Sequence, residues 1–218
     1  MRLISDTYNK TDLSLDGSGS LVIETIKEGS GTFPVSGSKV KIHYTGTFED
    51  GTKFDSSYDR KQPLVFTLAQ GTVIKGLEMG VSNMKKGGRA VLTCFPQYAY
   101  GESGYPPKIP PNSTLKFDVE LLDWIGEDLS PNEDGGIEKV EVLQPGHGYL
   151  TPKDGSQVDI HIRGEFEGRV FEDRDVSFII GEGSEENIIE GVERSLVKLR
   201  SKECVRLKIK PNGVCRNS

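Results

Sequence analysis

Apolar and polar residues alternate with a period of two at several places in this chain. Val40, Ile42 and Tyr44 alternate with Lys41, His43 and Thr45, and Leu115, Phe117, Val119 and Leu121 alternate with Lys116, Asp118 and Glu120. Such alternation predicts half-buried strands of an antiparallel sheet with one wet face. Between these strands the rhythm changes. Ile74, Leu77, Val81 and Met84 are spaced 3, 4, 3, and Ile189, Val192, Leu196 and Leu199 reproduce that spacing. A short helix laying one apolar stripe on the sheet explains both. The helices are expected to run toward Lys85-Lys86-Gly87-Gly88 and Lys198-Leu199-Arg200-Ser201-Lys202, where cations favour the negative end of the helix dipole.

The pattern occurs twice because the sequence does. VKIHYTGTFEDG at Val40 to Gly51 returns as VDIHIRGEFEG at Val158 to Gly168, with Ile162 in the place of Tyr44. Self-similarity at this scale means one fold used twice, and 218 residues accommodate two modules of about a hundred residues each. The fold class is α+β: two tandem modules, each a curved antiparallel sheet wrapped around one short helix. The boundaries read as a flexible leader at 1–20, a first module at 21–125, a hinge at 126–136 and a second module at 137–218. The leader and the hinge share the tripeptide Asp-Leu-Ser, at Asp12 and Asp128, followed by polar, glycine-rich residues that cannot repay the entropy of ordering.

Charge narrows the function. Residues 21–125 carry 12 Lys+Arg against 11 Asp+Glu, whereas residues 127–218 carry 13 against 19, so the acidity sits in the second module. Neither module has the basic face that nucleic acid requires. The N-terminal segment lacks the apolar core of a signal peptide and no run approaches the roughly 18 to 20 apolar residues of a membrane span. Cys94, Cys204 and Cys215 are odd in number and lack metal-like spacing, which favours free thiols in a reducing compartment, cytosol or nucleus. His43, His147 and His161 have no cluster of ligands or nucleophile beside them in the sequence, and no metal or cofactor is expected.

Three segments carry a resemblance: VKIHYTGTFEDGTKFDSSYDR at Val40 to Arg60, GTVIKGLEMGVSNMKKG at Gly71 to Gly87, and PQYAYGESGYPPKIPPNSTLKFDVELL at Pro96 to Leu122. In this order they resemble the FKBP-type peptidyl-prolyl isomerases, the macrolide-binding immunophilins, over about 100 residues, and the tandem arrangement resembles the large members of that family. The resemblance implies an isomerase acting on X-Pro bonds of proteins and assisting their folding, without a cofactor. It assigns Tyr44, Asp55 and Tyr100 as the catalytic set. Phe54, Phe66, Val73, Ile74, Leu77, Ile109 and Phe117 are assigned to the substrate-binding cleft. Tyr100 is to offer its hydroxyl and Ile74 its backbone N–H to a substrate or drug carbonyl, while Asp55 meets Tyr44 and Arg60 at the rim. Implied partners are proline-containing polypeptides and macrolides such as tacrolimus and rapamycin.

The chain departs from that pattern in both modules. Leu77 stands where well-studied members place a tryptophan under the proline ring, and Leu64 where phenylalanine is usual. In the second module Glu172 replaces the aspartate, and the segment from Phe171 to Phe178 is five residues shorter than that from Phe54 to Phe66. After Pro211 the likeness to the first module ends, so a Tyr100-type hydroxyl and a last strand have no counterpart. The second module is therefore expected to be a degenerate, non-catalytic copy. The helical repeats by which large members dock a chaperone have no counterpart either; the chain is expected to be a shortened form, with chaperone association only in a form that carries them. The alternative function is a non-catalytic macrolide-binding scaffold or co-chaperone fragment.

Overall fold

In a computed structural model, residues 9–211 are described. The chain divides into two compact units at the Glu127–Asp128 bond.

The first unit is built on one antiparallel sheet of β1 (Asn9–Asp12), β2 (Leu21–Lys27), β3 (Lys39–Phe48), β4 (Lys53–Ser56), β5 (Leu64–Thr67), β6 (Arg89–Cys94) and β7 (Leu115–Ile125). The strand order is β1-β2-β6-β7-β3-β4, with β5 also pairing β3. Alternation places side chains as the sequence predicts: Val40, Ile42 and Tyr44 of β3 and Leu115, Phe117, Val119 and Leu121 of β7 are all buried. β7 is the middle of the sheet. It pairs with β3 along one edge and with β6 along the other, so Phe117 faces Gly46 on one side and Leu92 on the other.

The helix α1 (Lys75–Ser82) lays Leu77 and Val81 on this sheet. Its other two buried positions are glycines, at Gly76 and Gly80. A Cβ at either would overlap the Cys94 Sγ or the Leu92 side chain, so the helix can approach β6 only because both positions lack one. The helix stops earlier than the cation-rich segment expected to end it. Asn83 closes it, its N–H donating to the Gly80 carbonyl and the Met84 N–H to that of Val81, and no basic residue lies in the last turn.

The segment before β2 is not a flexible leader over its described residues. β1 pairs with β2 along four residues, and the Asp12 carboxylate accepts from the Ser14 N–H at 2.8 Å and the Gly19 N–H at 3.0 Å. The Ser14 hydroxyl, which also donates to this carboxylate, and then these N–H bonds hold the Asp12 carboxyl below the usual carboxylate range. The Leu15 N–H donates to the Tyr98 hydroxyl at 2.9 Å. The same device recurs at the expected hinge. The Asp128 carboxylate accepts from the Ser130 N–H at 2.8 Å and the Gly135 N–H at 2.7 Å, while Leu129 and Ser130 are buried. The glycine-rich polar segments order because one carboxylate satisfies several backbone donors, a gain that composition alone does not reveal. Residues 1–8 lie outside the described residues.

In the second unit the strands are β8 (Glu127–Asp128) at the junction, β9 (Ile137–Gln144), β10 (Gln157–Phe166), β11 (Arg169–Ile179) and β12 (Cys204–Ile209), with helix α2 (Glu190–Leu196) before β12. Over its described residues this unit follows the element order of the first as far as β6, with β11 alone where the first has β4 and β5, and its sheet arrangement differs. The strands form two separate sheets, β10-β11 and β12-β9-β8. Each carries its own apolar cluster: Val176, Phe178, Ile180 and Ile188 in one, Leu129, Ile137 and Leu199 in the other. Leu196 of α2 packs against both. Among the described residues, no helix of either unit is long and apolar enough to cross a membrane.

Candidate functional site

The residues assigned to the site come from five elements and the long loop between β6 and β7. Tyr44 is on β3, Phe54 and Asp55 on β4, Phe66 on β5, Leu77 on α1 with Val73 and Ile74 just ahead of it, Phe117 on β7, and Tyr100 and Ile109 in the loop. Tyr44, Phe66, Leu77, Ile109 and Phe117 belong to one buried cluster, and Phe54, Val73, Ile74 and Leu64 pack against it half-buried.

Gly46 is the hinge of this arrangement. In the sheet it stands between Asp55 on β4 and Phe117 on β7. A Cβ here would lie 2.6 Å from Phe54 Cζ, so the glycine leaves the space in which the Phe54 ring lies. That ring meets Phe117 edge-on, with centroids 5.7 Å apart and planes at 87°, and leans on Phe48 at 5.1 Å. The Tyr44 ring is tilted against Phe117 at 6.1 Å. Edge-to-face contacts of this kind fix ring orientation as well as burying area.

The polar edge is a closed network. The Tyr44 hydroxyl donates to Asp55 Oδ2 at 2.6 Å and accepts from Arg60 Nη2 at 3.0 Å. Arg60 also pairs with Asp55 directly, and Lys108 Nζ stands 3.5 Å from Asp55 Oδ1. Burial pushes the Asp55 carboxyl up, but the Tyr44 hydrogen bond and the charges of Arg60 and Lys108 outweigh it and hold Asp55 below the usual carboxylate range. Burial, then the bond to Asp55, raises the Tyr44 phenol. Both groups therefore keep their ordinary forms, carboxylate and phenol, at neutral pH. Tyr100 is different. It is 37 % exposed, tilts against Tyr105 with centroids 5.5 Å apart, and its hydroxyl bonds to no protein group among the described residues. Burial raises its phenol too. The Ile74 N–H, at the N-terminal edge of α1, likewise donates to no protein group among the described residues.

A cavity of about 330 Å³ lies on the Asp55 side, lined by Lys53, Phe54, Asp55, Ser56, Asp59, Arg60 and Lys108. It shares only Phe54 and Asp55 with the assigned set, and the rest of its lining is polar. Lys108 is the site residue that sequence reasoning missed. It lies beside Ile109 in the chain, but nothing in a Pro-Pro-Lys-Ile-Pro loop signals that its ammonium reaches a carboxylate on β4. His43 points elsewhere: its ring stacks on Tyr58 at 4.3 Å and its Nδ1 lies 2.8 Å from the Ser57 hydroxyl.

No group of three or more His, Cys, Asp and Glu that could hold a metal occurs among the described residues. Cys94 is buried, which pushes its thiol up to about 12, and Cys204 is exposed; both are free. Cys215 lies outside the described residues. In the second unit the corresponding positions are not assembled. Ile162 packs against its own apolar cluster, Glu172 accepts from Arg174 Nε at 2.5 Å, and Phe171 is 67 % exposed.

The first unit is thus one antiparallel sheet carrying one helix, with a buried aromatic cluster and a Tyr–Asp–Arg edge. The chain belongs to the FKBP-type peptidyl-prolyl cis-trans isomerase family, whose profile matches residues 30–122 and 148–213. It is 54% identical over 202 residues to FK506-binding protein 59 of Drosophila melanogaster, covering 92% of this chain and 45% of that protein. It is 44% identical over 193 residues to human peptidyl-prolyl cis-trans isomerase FKBP4, covering 88% and 42%. A shorter relative, peptidyl-prolyl cis-trans isomerase Fkbp12 of Drosophila melanogaster, is 58% identical over 98 residues, 44% of this chain and 91% of that one. The chain thus spans less than half the length of the two larger relatives.

Proposed function

We propose that the first unit catalyses cis-trans isomerisation of X-Pro bonds in polypeptides, assists their folding, and does so without covalent chemistry. Rotation about such a bond is opposed by amide resonance, a barrier of roughly 18 to 20 kcal/mol. In the twisted transition state the C–N bond is nearly single and the carbonyl loses part of its charge separation. An apolar cleft suits that state better than it suits the planar amide, which prefers water. Bringing a step of tens of seconds into the millisecond range requires about 10⁴ to 10⁵, or about 6 to 7 kcal/mol of differential binding.

One observation carries the reading. Two hydrogen-bonding groups, the Tyr100 hydroxyl and the Ile74 N–H, lack protein partners among the described residues, beside an apolar face whose own polar edge is satisfied by the network of Tyr44, Asp55 and Arg60. In this reading Phe66, Val73, Leu77, Ile109 and Phe117 receive the proline ring. Tyr100 and Ile74 hold carbonyls on either side of the rotating bond. Asp55 keeps Tyr44 and the β4 edge in position. The second unit takes no part in turnover.

A protease-coupled assay on a proline tetrapeptide tests this. Tyr100→Phe is expected to lower kcat/KM several-fold, as the loss of one neutral hydrogen bond does, and Asp55→Val on the order of tenfold, since it strands two partners. Because the Asp55 carboxyl titrates below its usual range, its contribution is present at and above about pH 4 and is lost as pH falls through the lower folded value. The wild-type rate should therefore hold from neutral pH down to about 4 and drop below it, and Asp55→Val should lack that drop. Wild-type rates in both variants would remove the assignment; an inactive first unit that still binds macrolides would favour the scaffold instead.

Macrolides such as rapamycin and tacrolimus are proposed as ligands of the same cleft, because a pipecolyl ring mimics the prolyl ring. Leu77 is 5 % exposed at the start of α1. Leu77→Trp is expected to tighten rapamycin by about 0.5 to 1.5 kcal/mol in calorimetry through an aromatic face under the ring, with unchanged or weaker binding showing that position 77 is not the floor. We place the protein in the cytosol or nucleus, in keeping with its free thiols. Association with a chaperone is proposed only for a form that carries helical repeats.

A further inference from the structure

The cavity beside Asp55 meets the cleft at Phe54 and Asp55, and its remaining wall is polar. Three cations, Lys53, Arg60 and Lys108, line it against two carboxylates, Asp55 and Asp59, so three positive charges less two negative leave one over. The pairing shows where that charge sits. Lys53 holds Asp59 at 2.5 Å, and Asp55 is taken by Arg60 and by the Tyr44 hydroxyl. Lys108 Nζ is left 3.5 Å from Asp55 Oδ1, too long for a strong charge-assisted hydrogen bond, and its side chain is 46 % exposed. The surplus positive charge is therefore that of Lys108, next in the chain to Ile109 of the cleft.

Both segments that supply this wall are held by their own backbone. The Lys108 and Ile109 N–H groups donate to the Tyr105 carbonyl at 3.0 and 2.9 Å, the Tyr105 N–H donates to the Ile109 carbonyl at 2.8 Å, and Ile109 is buried in the core. After β4, the hydroxyl of buried Ser56 accepts from the Tyr58 and Asp59 N–H groups at 3.2 and 3.4 Å, which fixes the turn that carries Asp59 and Arg60. We propose that this cavity is a second subsite of the first unit, which receives a negatively charged side chain of the polypeptide, a carboxylate or a phosphate, one or two residues from the proline held in the cleft. The proposal rests on the isomerase reading of that cleft. An extended chain advances about 3.3 to 3.6 Å per residue, so a side chain one or two positions from the proline reaches past Phe54 and Asp55. An anion there replaces water on Lys108 and leaves Arg60 on Asp55, so the network that positions Tyr44 stays intact. The apolar cleft selects proline; the cation selects among prolines.

Exchange NMR on the 218-residue chain tests this with short peptides of one proline, in which each of the two positions on either side carries glutamate or glutamine in turn. At one position glutamate is expected to raise kcat/KM about two- to five-fold over glutamine, the range of a half-exposed ion pair. The gain should lie in KM and not in kcat, because the contact is the same for the planar and the twisted amide, and it should fade at high salt. Lys108→Met should bring the glutamate-to-glutamine ratio to one, and Lys108→Glu should take it below one. Phosphoserine at that position, with a charge of about −1.5 to −2, separates the two sources: a gain above that of glutamate assigns the subsite to phosphorylated chains, a gain at or below it to acidic ones. A ratio of one at every position while the glutamine peptides are turned over removes the subsite and leaves the isomerase, and a ratio that Lys108→Glu does not change removes it too. A chain that turns over none of the peptides removes the isomerase reading instead, and the ratio of their dissociation constants, read by anisotropy on fluorescein-labelled copies, then decides the subsite by the same criteria.

Discussion

Phe117→Ala in the first unit is expected to remove about 3 to 5 kcal/mol of stability, a large share of the roughly 5 to 15 kcal/mol available to a domain of this size. Phe117 is 3 % exposed in the central strand, edge-on to Phe54 and tilted against Tyr44. Removing the ring leaves a cavity between the sheet and the site, and no neighbour is positioned to fill it: position 46 is a glycine whose open space already holds Phe54. The single tryptophan, Trp124, also lies on β7, so its fluorescence follows unfolding of this unit in urea. Molecules of the variant that remain folded should still lose isomerase activity, because the Phe54 ring and the Tyr44 ring lose a common support. Phe117→Leu, which keeps more of the volume, should cost less on both counts. A loss below about 1 kcal/mol for the alanine variant would mean that Phe117 is not the keystone of the cleft.

Amide exchange should separate the two units by orders of magnitude. In the first, β3 is bonded on one side by β7 and on the other by β4 and β5, and β6 lies between β2 and β7. Val40 to Tyr44 and Leu115 to Leu121 should therefore exchange only in global unfolding. In the second, β10 and β12 each have one bonded edge among the described residues, so every other N–H faces away from its partner. Val158 to Ile162 and Val205 to Ile209 should exchange far faster. Local stability follows how many cooperative contacts must open together, and two small clusters joined through Leu196 supply few. Equal protection in both units would contradict the divided sheet.

Much of this was legible in the sequence because it depends on local periodicity. Alternation in Val40 to Tyr44 and Leu115 to Leu121 fixes which side chains turn inward whatever else the chain does, and the 3, 4, 3 spacing does the same for Leu77 and Val81 of α1, whereas in α2 Val192 and Leu196 are half-buried and Ile189, just ahead of it, is exposed. The repeat made the number of modules plain. Ten candidate site residues came from a resemblance that spans the first module, since family spacing encodes long-range neighbours that physics alone would have to fold the chain to find. The stop of α1 at Asn83 was missed, because cations after the helix offered a plausible end that the backbone did not need.

By itself, then, the sequence determined strand faces and helix stripes, properties of residues within a few positions of one another, and, by setting one copy beside the other, the duplication and the loss of a tyrosine at Ile162. The tertiary structure decided the rest. Asp12 and Asp128 order segments that composition marks as loose, because a carboxylate can accept several backbone N–H groups at once only when the turn brings them to it. Lys108 reaches Asp55 across the site, and Gly46 opens the space for Phe54, both through pairings between distant strands. The division of the second sheet has the same origin: a strand's edges are satisfied by neighbours remote in sequence, so whether β10 and β12 share a partner is a fact about the fold and not about either strand.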